Sequence, residues 1–526
     1  MDFENLFRDR QTFSHFQKIG FQKRHGISLP LFSLRTKNSL GIGQYLDLLP
    51  LIDFICSLKM NIIQLLPLND CGKDPSPYSA QSSCALNPDY LSLEKLPYIN
   101  EYPSLLSEIE KFSPINEKPF VDWKKIKEFK HTFLLKYFDL VFDKIKDKGN
   151  YHSYLNQNPW LIEYAVYRTL KAQFKEKHWA DFPKEYQTVT KEDIDTLVKL
   201  NRSEIDFHLF VQFLCHEQLS MVKEYADQKG VLLKGDIPIL LNGDSADVYF
   251  HQHLFIRNLN AGAPPDFYNS QGQNWHFPLF DWEEARKTHF NWWKRRLLSQ
   301  SDYFHCYRID HVVGFFRIWS IAKGKTALEG KFIPRNLYLW PAQGKELLEM
   351  MINTSSMLPL AEDLGTVPDY TFRTLKELGV LGTRVLRWQK YYEEDGSFLP
   401  LDAYEPISMT TLSTHDAEPT KLWWEKYPEE AKAFAKFLDI PYKKKLGFDS
   451  HLKILQASHQ TSSFFHINPL QEYTSLFEEL TYKDLEKERI NTPGVHANTN
   501  WCYRTRGYLE DLREHKGLKE AISSYL

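Results

Sequence analysis

The chain has 526 residues, 42% of them hydrophobic and 25% charged, which is enough apolar material to bury the core of a large soluble globular protein. Its formal net charge is −3 and it has no basic tract, which argues against nucleic acid or an anionic membrane as a partner. No stretch approaches 18 apolar residues and the charged run from Met1 to Arg10 has no apolar segment, so neither a membrane span nor a secretion signal is expected.

Residues 26–34 are predicted as a first strand. Residues 45–59, with Leu48, Leu49, Ile52, Ile55 and Cys56 at helical spacing, form the helix that follows. Residues 61–66 are a β-branched and apolar run, the second strand. From 69 to 230 the strand–helix alternation stops. That stretch reads as a helical insertion between the second and third strands, with helices over 123–147, 160–175 and 204–228. In the first of these, Ile126, Phe129, Phe133, Leu134, Tyr137, Phe138 and Val141 fall on one face, a stripe suited to a core. Strand-like runs resume at 231–238, 303–309, 357–361, 382–386 and 409–413. Strands alternating with helices predict an α/β architecture, a (β/α)8 barrel with large, mainly helical insertions between its strands. A bare barrel needs about 250 residues, so the excess belongs to insertions. Residues 251–300 are read as a second one, an active-site loop and lid. With no repeat, linker or low-complexity tract, 1–526 reads as a single catalytic domain. Six scattered cysteines without C-x-x-C spacing read as reduced thiols of a cytoplasmic protein. His251 and His253 alone make no metal site, and no metal is expected.

Three carboxylates sit where such a barrel keeps its chemistry, at the C-terminal ends of strands. Asp310 ends Tyr307-Arg308-Ile309-Asp310-His311, Glu362 follows Leu358-Pro359-Leu360-Ala361, and Asp416 lies in Ser413-Thr414-His415-Asp416. Cleaving a glycosidic bond with retention needs one ionised carboxylate as nucleophile and one protonated carboxylic acid. The acid must have its pKa raised by burial or by a nearby negative charge. Arg308, two residues before Asp310 and so on the same strand face, is placed to hold the nucleophile ionised. An aromatic content of 15% also suits sugar binding, since pyranose C–H faces pack on rings, although most of the rings must be core.

At these residues the chain resembles the 4-α-glucanotransferases (amylomaltases, disproportionating enzymes) of glycoside hydrolase family 77, in the α-amylase clan. Nearly the whole chain takes part. The shared segments are Ser28-Leu29-Pro30, Gly41-Ile42-Gly43, Gln64-Leu65-Leu66-Pro67-Leu68, Ser76-Pro77-Tyr78-Ser79, Gly235-Asp236-Ile237-Pro238, and the run from Ala261 to Phe267 with Gly272-Gln273-Asn274-Trp275. The three acid-bearing segments, Gly382 to Leu386, and Arg489 to Gly494 with Asn500-Trp501 follow in order. The resemblance implies a cofactor-free transferase that moves α-1,4-glucan segments from maltooligosaccharides, glycogen or starch to glucose or another maltooligosaccharide. It implies Asp310 as nucleophile, Glu362 as general acid and later base, and Asp416 as a ligand of sugar hydroxyls. The implied substrate contacts are Tyr78, Ser79, Asp266, Phe267, Tyr268, Trp275, Arg308, His311 and His415. The stretch 264–275, stiffened by Pro264 and Pro265, is expected to cover the covalent intermediate and keep water from it. A retaining α-glucan hydrolase and a non-catalytic glycogen-binding scaffold are the alternative readings. The chain departs from the family where Ala417-Glu418 follow His415-Asp416, where Ile63 precedes Gln64, and at His276, so donor and acceptor preference stays open.

Overall fold

The computed structural model describes residues 2–265, 270–495 and 497–526. Eight parallel strands form the central sheet: β1 (Arg24–Leu29), β2 (Ile62–Leu65), β3 (Leu232–Pro238), β4 (Cys306–Asp310), β5 (Leu358–Ala361), β6 (Gly382–Val385), β7 (Ser408–Thr411) and β8 (Phe465–Pro469). Their spatial order is β5-β4-β3-β2-β1-β8-β7-β6. The two ends meet at a parallel bridge between Leu360 and Leu381, where the Ala361 N–H donates to the Leu381 carbonyl at 2.7 Å. Order and closure together make a (β/α)8 barrel. β2, β3 and β5 are buried at every position, as strands covered on both faces must be.

Seven of these strands are the ones that the sequence pattern predicts; β8 was not named. Phe465-His466-Ile467-Asn468 alternates apolar with polar, but only over a short run, and His466 and Asn468 are fully buried rather than facing solvent. Asn468 uses its side-chain oxygen to accept the Leu412 N–H at 2.8 Å, which ties β8 to the end of β7. The first strand stops at Leu29, before a short 3-10 turn over Leu31–Ser33, and the helix after it runs Leu48–Ser57.

Between β2 and β3 the helices Trp123–Ile145, Trp160–Gln173, Lys191–Leu200 and Arg202–Lys229 pack together. The Trp123–Ile145 helix begins where the Asp122 carboxylate accepts the Lys125 N–H, and it buries Ile126, Phe133, Leu134, Tyr137, Phe138, Val141 and Ile145. The Arg202–Lys229 helix stops at Gly230, whose φ of +66° favours glycine, and the chain passes directly into β3. Residues 251–300 are not all loop. The antiparallel strands Leu259–Ala263 and Gln273–Asn274 join Ile318–Ala322 and Lys331–Ile333 in a second, four-stranded sheet. The helix Asn291–Ser301 then leads back to β4. No helix among the described residues is long and apolar enough to cross a membrane.

Candidate active site

A cleft of about 1030 Å³ opens at the C-terminal ends of the strands. Asp310, His311, Glu362, His415 and Asp416 line it, with Tyr78 and Ser79 from the loop after β2, Gln271 to Phe277, Asn491 to Val495, and Asn500 and Trp501. The sequence-predicted acids therefore share one cleft with Tyr78, Ser79, Trp275, His311 and His415. Asp266, Phe267 and Tyr268 lie outside the described residues.

Arg308 organises the centre. Its Nη2 lies 2.7 Å from Glu362 Oε2 and 2.8 Å from Asp310 Oδ1, and its Nη1 donates to Asp236 Oδ2 at 2.7 Å. Tyr78 donates its hydroxyl to the same Asp236 oxygen at 2.9 Å. The Tyr78 ring stacks on His415 at 5.3 Å and tilts toward Trp501 at 5.7 Å, giving the cleft an aromatic wall. Asp416 stands apart from the central pair. It accepts from Asn491 Nδ2 at 2.7 Å, has His415 Nε2 at 3.4 Å, and keeps 43% of its side chain exposed.

The electrostatics correct one expectation. Arg308 does not hold Asp310 alone; it bridges both carboxyls, which also contact each other. Burial pushes the Asp310 carboxyl well above the ordinary range, Arg308 opposes this, and the negative charges of Glu362 and Asp236 add to it. Glu362 is held below the ordinary range: burial would raise it, but Arg308, the His311 N–H at 2.9 Å, the His311 ring and the contact with Asp310 outweigh burial. Asp310 and Glu362 therefore titrate as one coupled pair across the Arg308 guanidinium.

Asp236 is a site residue that sequence reasoning quoted only as part of a motif. It lies near the C-terminal end of β3, in register with Arg308 on β4. Lys234, two residues earlier on β3, donates to Gln64 Oε1 at 2.8 Å in the barrel interior, and burial with the nearby Arg308 charge brings its amine to about 7. Among the described residues no group of His, Cys, Asp and Glu could hold a metal. His251 instead meets Glu163 at 3.1 Å and Arg295 at 3.1 Å.

A family model described as 4-alpha-glucanotransferase, that of glycoside hydrolase family 77, matches residues 29–510. A 4-alpha-glucanotransferase of Chlamydia pneumoniae is 42% identical over 510 residues, covering 97% of this chain and 96% of that protein. One of Synechocystis is 28% identical over 496 residues, covering 91% and 92%. Among solved structures, the amylomaltase from Streptococcus agalactiae in complex with acarbose is similar in fold, with a TM-score of 0.82 at 23% identity over 96% of this chain and 98% of that one. With its barrel, its acids and a match across most of its length, the chain belongs to the 4-alpha-glucanotransferase family.

Proposed function

We propose that Asp310, Glu362 and Asp416 carry a retaining double displacement on α-1,4-glucans. The observation that carries this reading is the single guanidinium of Arg308 bridging two carboxyls at the floor of an open cleft. In the first step an Asp310 oxygen bonds to the sugar C1 while the glycosidic C–O bond breaks, and Glu362 gives its proton to the departing oxygen. In the second step Glu362 takes the proton of an acceptor hydroxyl, whose oxygen bonds to C1 and releases Asp310. Asp416, with His415, binds hydroxyls of the sugar at the scissile bond. Tyr78 and Trp275 offer stacking faces, and Ser79 and His311 offer polar ones.

Donors in this reading are maltooligosaccharides and longer storage glucans; acceptors are glucose or maltooligosaccharides. Six free thiols are consistent with a reducing, cytoplasmic compartment. The test is the product pattern from maltotriose. We expect glucose together with oligomers both shorter and longer than the substrate. A pattern of shorter products alone would make water the acceptor and the enzyme a hydrolase; no turnover of any maltooligosaccharide would leave only a binding protein.

A further inference from the structure

The aromatic wall of the cleft joins two residues far apart in sequence, Tyr78 and Trp501, and one helical turn of the insertion reaches the segments of both from outside the cleft. Trp501 holds φ at +61°, in the left-handed region that a bulky residue occupies only where its surroundings fix it. Its N–H donates to the Ile490 carbonyl at 2.8 Å, and its carbonyl accepts from Nε1 of Trp123 at 2.8 Å. The following residue is held from the same side, since the Val121 N–H donates to the Cys502 carbonyl at 2.9 Å. Beyond it, the buried Arg504 guanidinium donates to the Asn116 and Lys118 carbonyls at 2.9 and 3.0 Å.

Trp123 opens the helix Trp123–Ile145, and Lys127 follows one turn later on the same face. The Lys127 ammonium lies 5.1 Å over the Trp123 ring and donates to the Gly72 carbonyl, with the Asp89 carboxylate 3.4 Å away. From Gly72 the chain runs to Tyr78 through a stiff stretch. Pro75 and Pro77 fix their own φ, and the Asp74 N–H donates to the Cys71 carbonyl at 3.1 Å. The Ser76 N–H donates to Asp74 Oδ1 at 2.9 Å, and the Tyr78 N–H to Ser76 Oγ at 3.3 Å. Neither Trp123 nor Lys127 is among the described residues that line the cleft.

We propose that Trp123 and Lys127 are positioning residues. Through the Trp501 and Gly72 carbonyls they clasp the two segments and hold the Trp501 and Tyr78 rings at the 5.7 Å separation at which the wall receives a glucan. With the cleft read as an α-glucan site, as proposed above, affinity for the sugar then depends on a helix that does not meet the sugar. A ring that loses its backing shifts and covers less of a pyranose face, while Asp310, Glu362 and Arg308 stay on their strands.

The test is steady-state turnover of maltotriose, with KM and kcat read separately. Trp123→Phe keeps a ring in the packing and loses the N–H; Lys127→Met keeps most of the chain and loses the ammonium. Each should raise KM about fivefold, the worth of one hydrogen bond, and leave kcat within about a factor of two, because the wall meets ground and transition states alike. Trp123→His should recover much of the loss, since its five-membered ring can put an N–H where the indole carries Nε1. Lys127→Arg should do the same, keeping a cation that donates and stacks on the ring. In a Trp501→Ala background, where the ring is gone, Trp123→Phe should raise KM no further. Circular dichroism checks folding; should Trp123→Phe or that background fail to fold, Lys127→Met and Lys127→Arg decide. Wild-type KM in both Trp123→Phe and Lys127→Met overturns the inference, as does a fall in kcat alone or a rise in KM that persists in the Trp501→Ala background. Asp310→Asn in the same assay separates the two levels: appreciable turnover there would refute the catalytic roles themselves.

Discussion

At the residue scale, the roles of the two carboxyls can be separated by removing one. In Glu362→Gln the negative neighbour that raises the Asp310 carboxyl is gone, so Asp310 should ionise more readily and remain a competent nucleophile. Natural donors need acid assistance and should turn over slower by at least about a hundredfold. An α-glucosyl fluoride needs little assistance, and the second step still lacks its base, so a glucosyl ester should accumulate on Asp310. Intact-mass spectrometry checks this as an added hexose on the variant, and peptide mapping places it. No adduct together with normal maltotriose turnover would make Glu362 a bystander. The three acids were legible in the sequence because each lies at or beyond the C-terminal end of a strand, in a recognisable segment. The coupling of Asp310 to Glu362 was not, because it depends on Arg308 Nη2 reaching both carboxyls and on one backbone N–H, which no spacing rule encodes.

At the element scale, a group of histidines fixes β1 to β8 and to the helix Phe448–Gln460. His25 and His459 meet Nδ1 to Nδ1 at 2.9 Å, His25 stacks on His466 at 4.8 Å, and His466 Nε2 lies 3.1 Å from the Thr461 hydroxyl. Burial lowers all three: His25 reaches about 4, and His459 and His466 fall well below the ordinary imidazole value. Each is therefore neutral when folded while its unfolded counterpart titrates near pH 6.5. The unfolded chain binds more protons across that window, so stability is complete above about pH 6.5 and falls as the pH drops from there toward 4. Each histidine contributes a slope of about 1.4 kcal/mol per pH unit within its window. Chemical denaturation at several pH values should show the decline, and His466→Leu should flatten it by about that one-histidine slope. A decline equally steep in the variant would place the acid sensitivity elsewhere. The same chemistry bears on β8: its buried polar residues are satisfied by specific partners, among them Thr461 nearby and His25 and Leu412 far away in sequence.

At the scale of the whole molecule, the pattern of strands and helices made the barrel and the place of its large insertion legible, because periodicity is a local property. How the insertion is held together was not, because there two glutamines reach across 126 positions of sequence. Gln212 accepts the Leu86 N–H and donates to the Leu86 carbonyl, both at 2.8 Å, as a neighbouring strand would. Gln218 does the same for Ser92, at 2.8 and 3.0 Å. Both side chains are buried and both belong to the helix Arg202–Lys229, which continues into β3. Two consequences follow from that continuity. Removing one amide leaves a backbone donor and acceptor buried without partners, at a cost of about 1–3 kcal/mol for each unpaired group. The loss cannot stay within the insertion, because the helix that loosens is the one feeding the strand that carries Asp236, beside the strand that carries Arg308 and Asp310. Gln212→Leu should therefore lower the denaturation midpoint for the whole chain, with far-UV circular dichroism and tryptophan fluorescence shifting together. The barrel carries Trp292, Trp293 and Trp424, and the insertion carries Trp160 and Trp179, so the fluorescence reports on both. An early transition confined to helix content, with the rest unfolding at the wild-type midpoint, would mean that the insertion is a separate folding unit and that the glutamine ladder holds it without supporting the site.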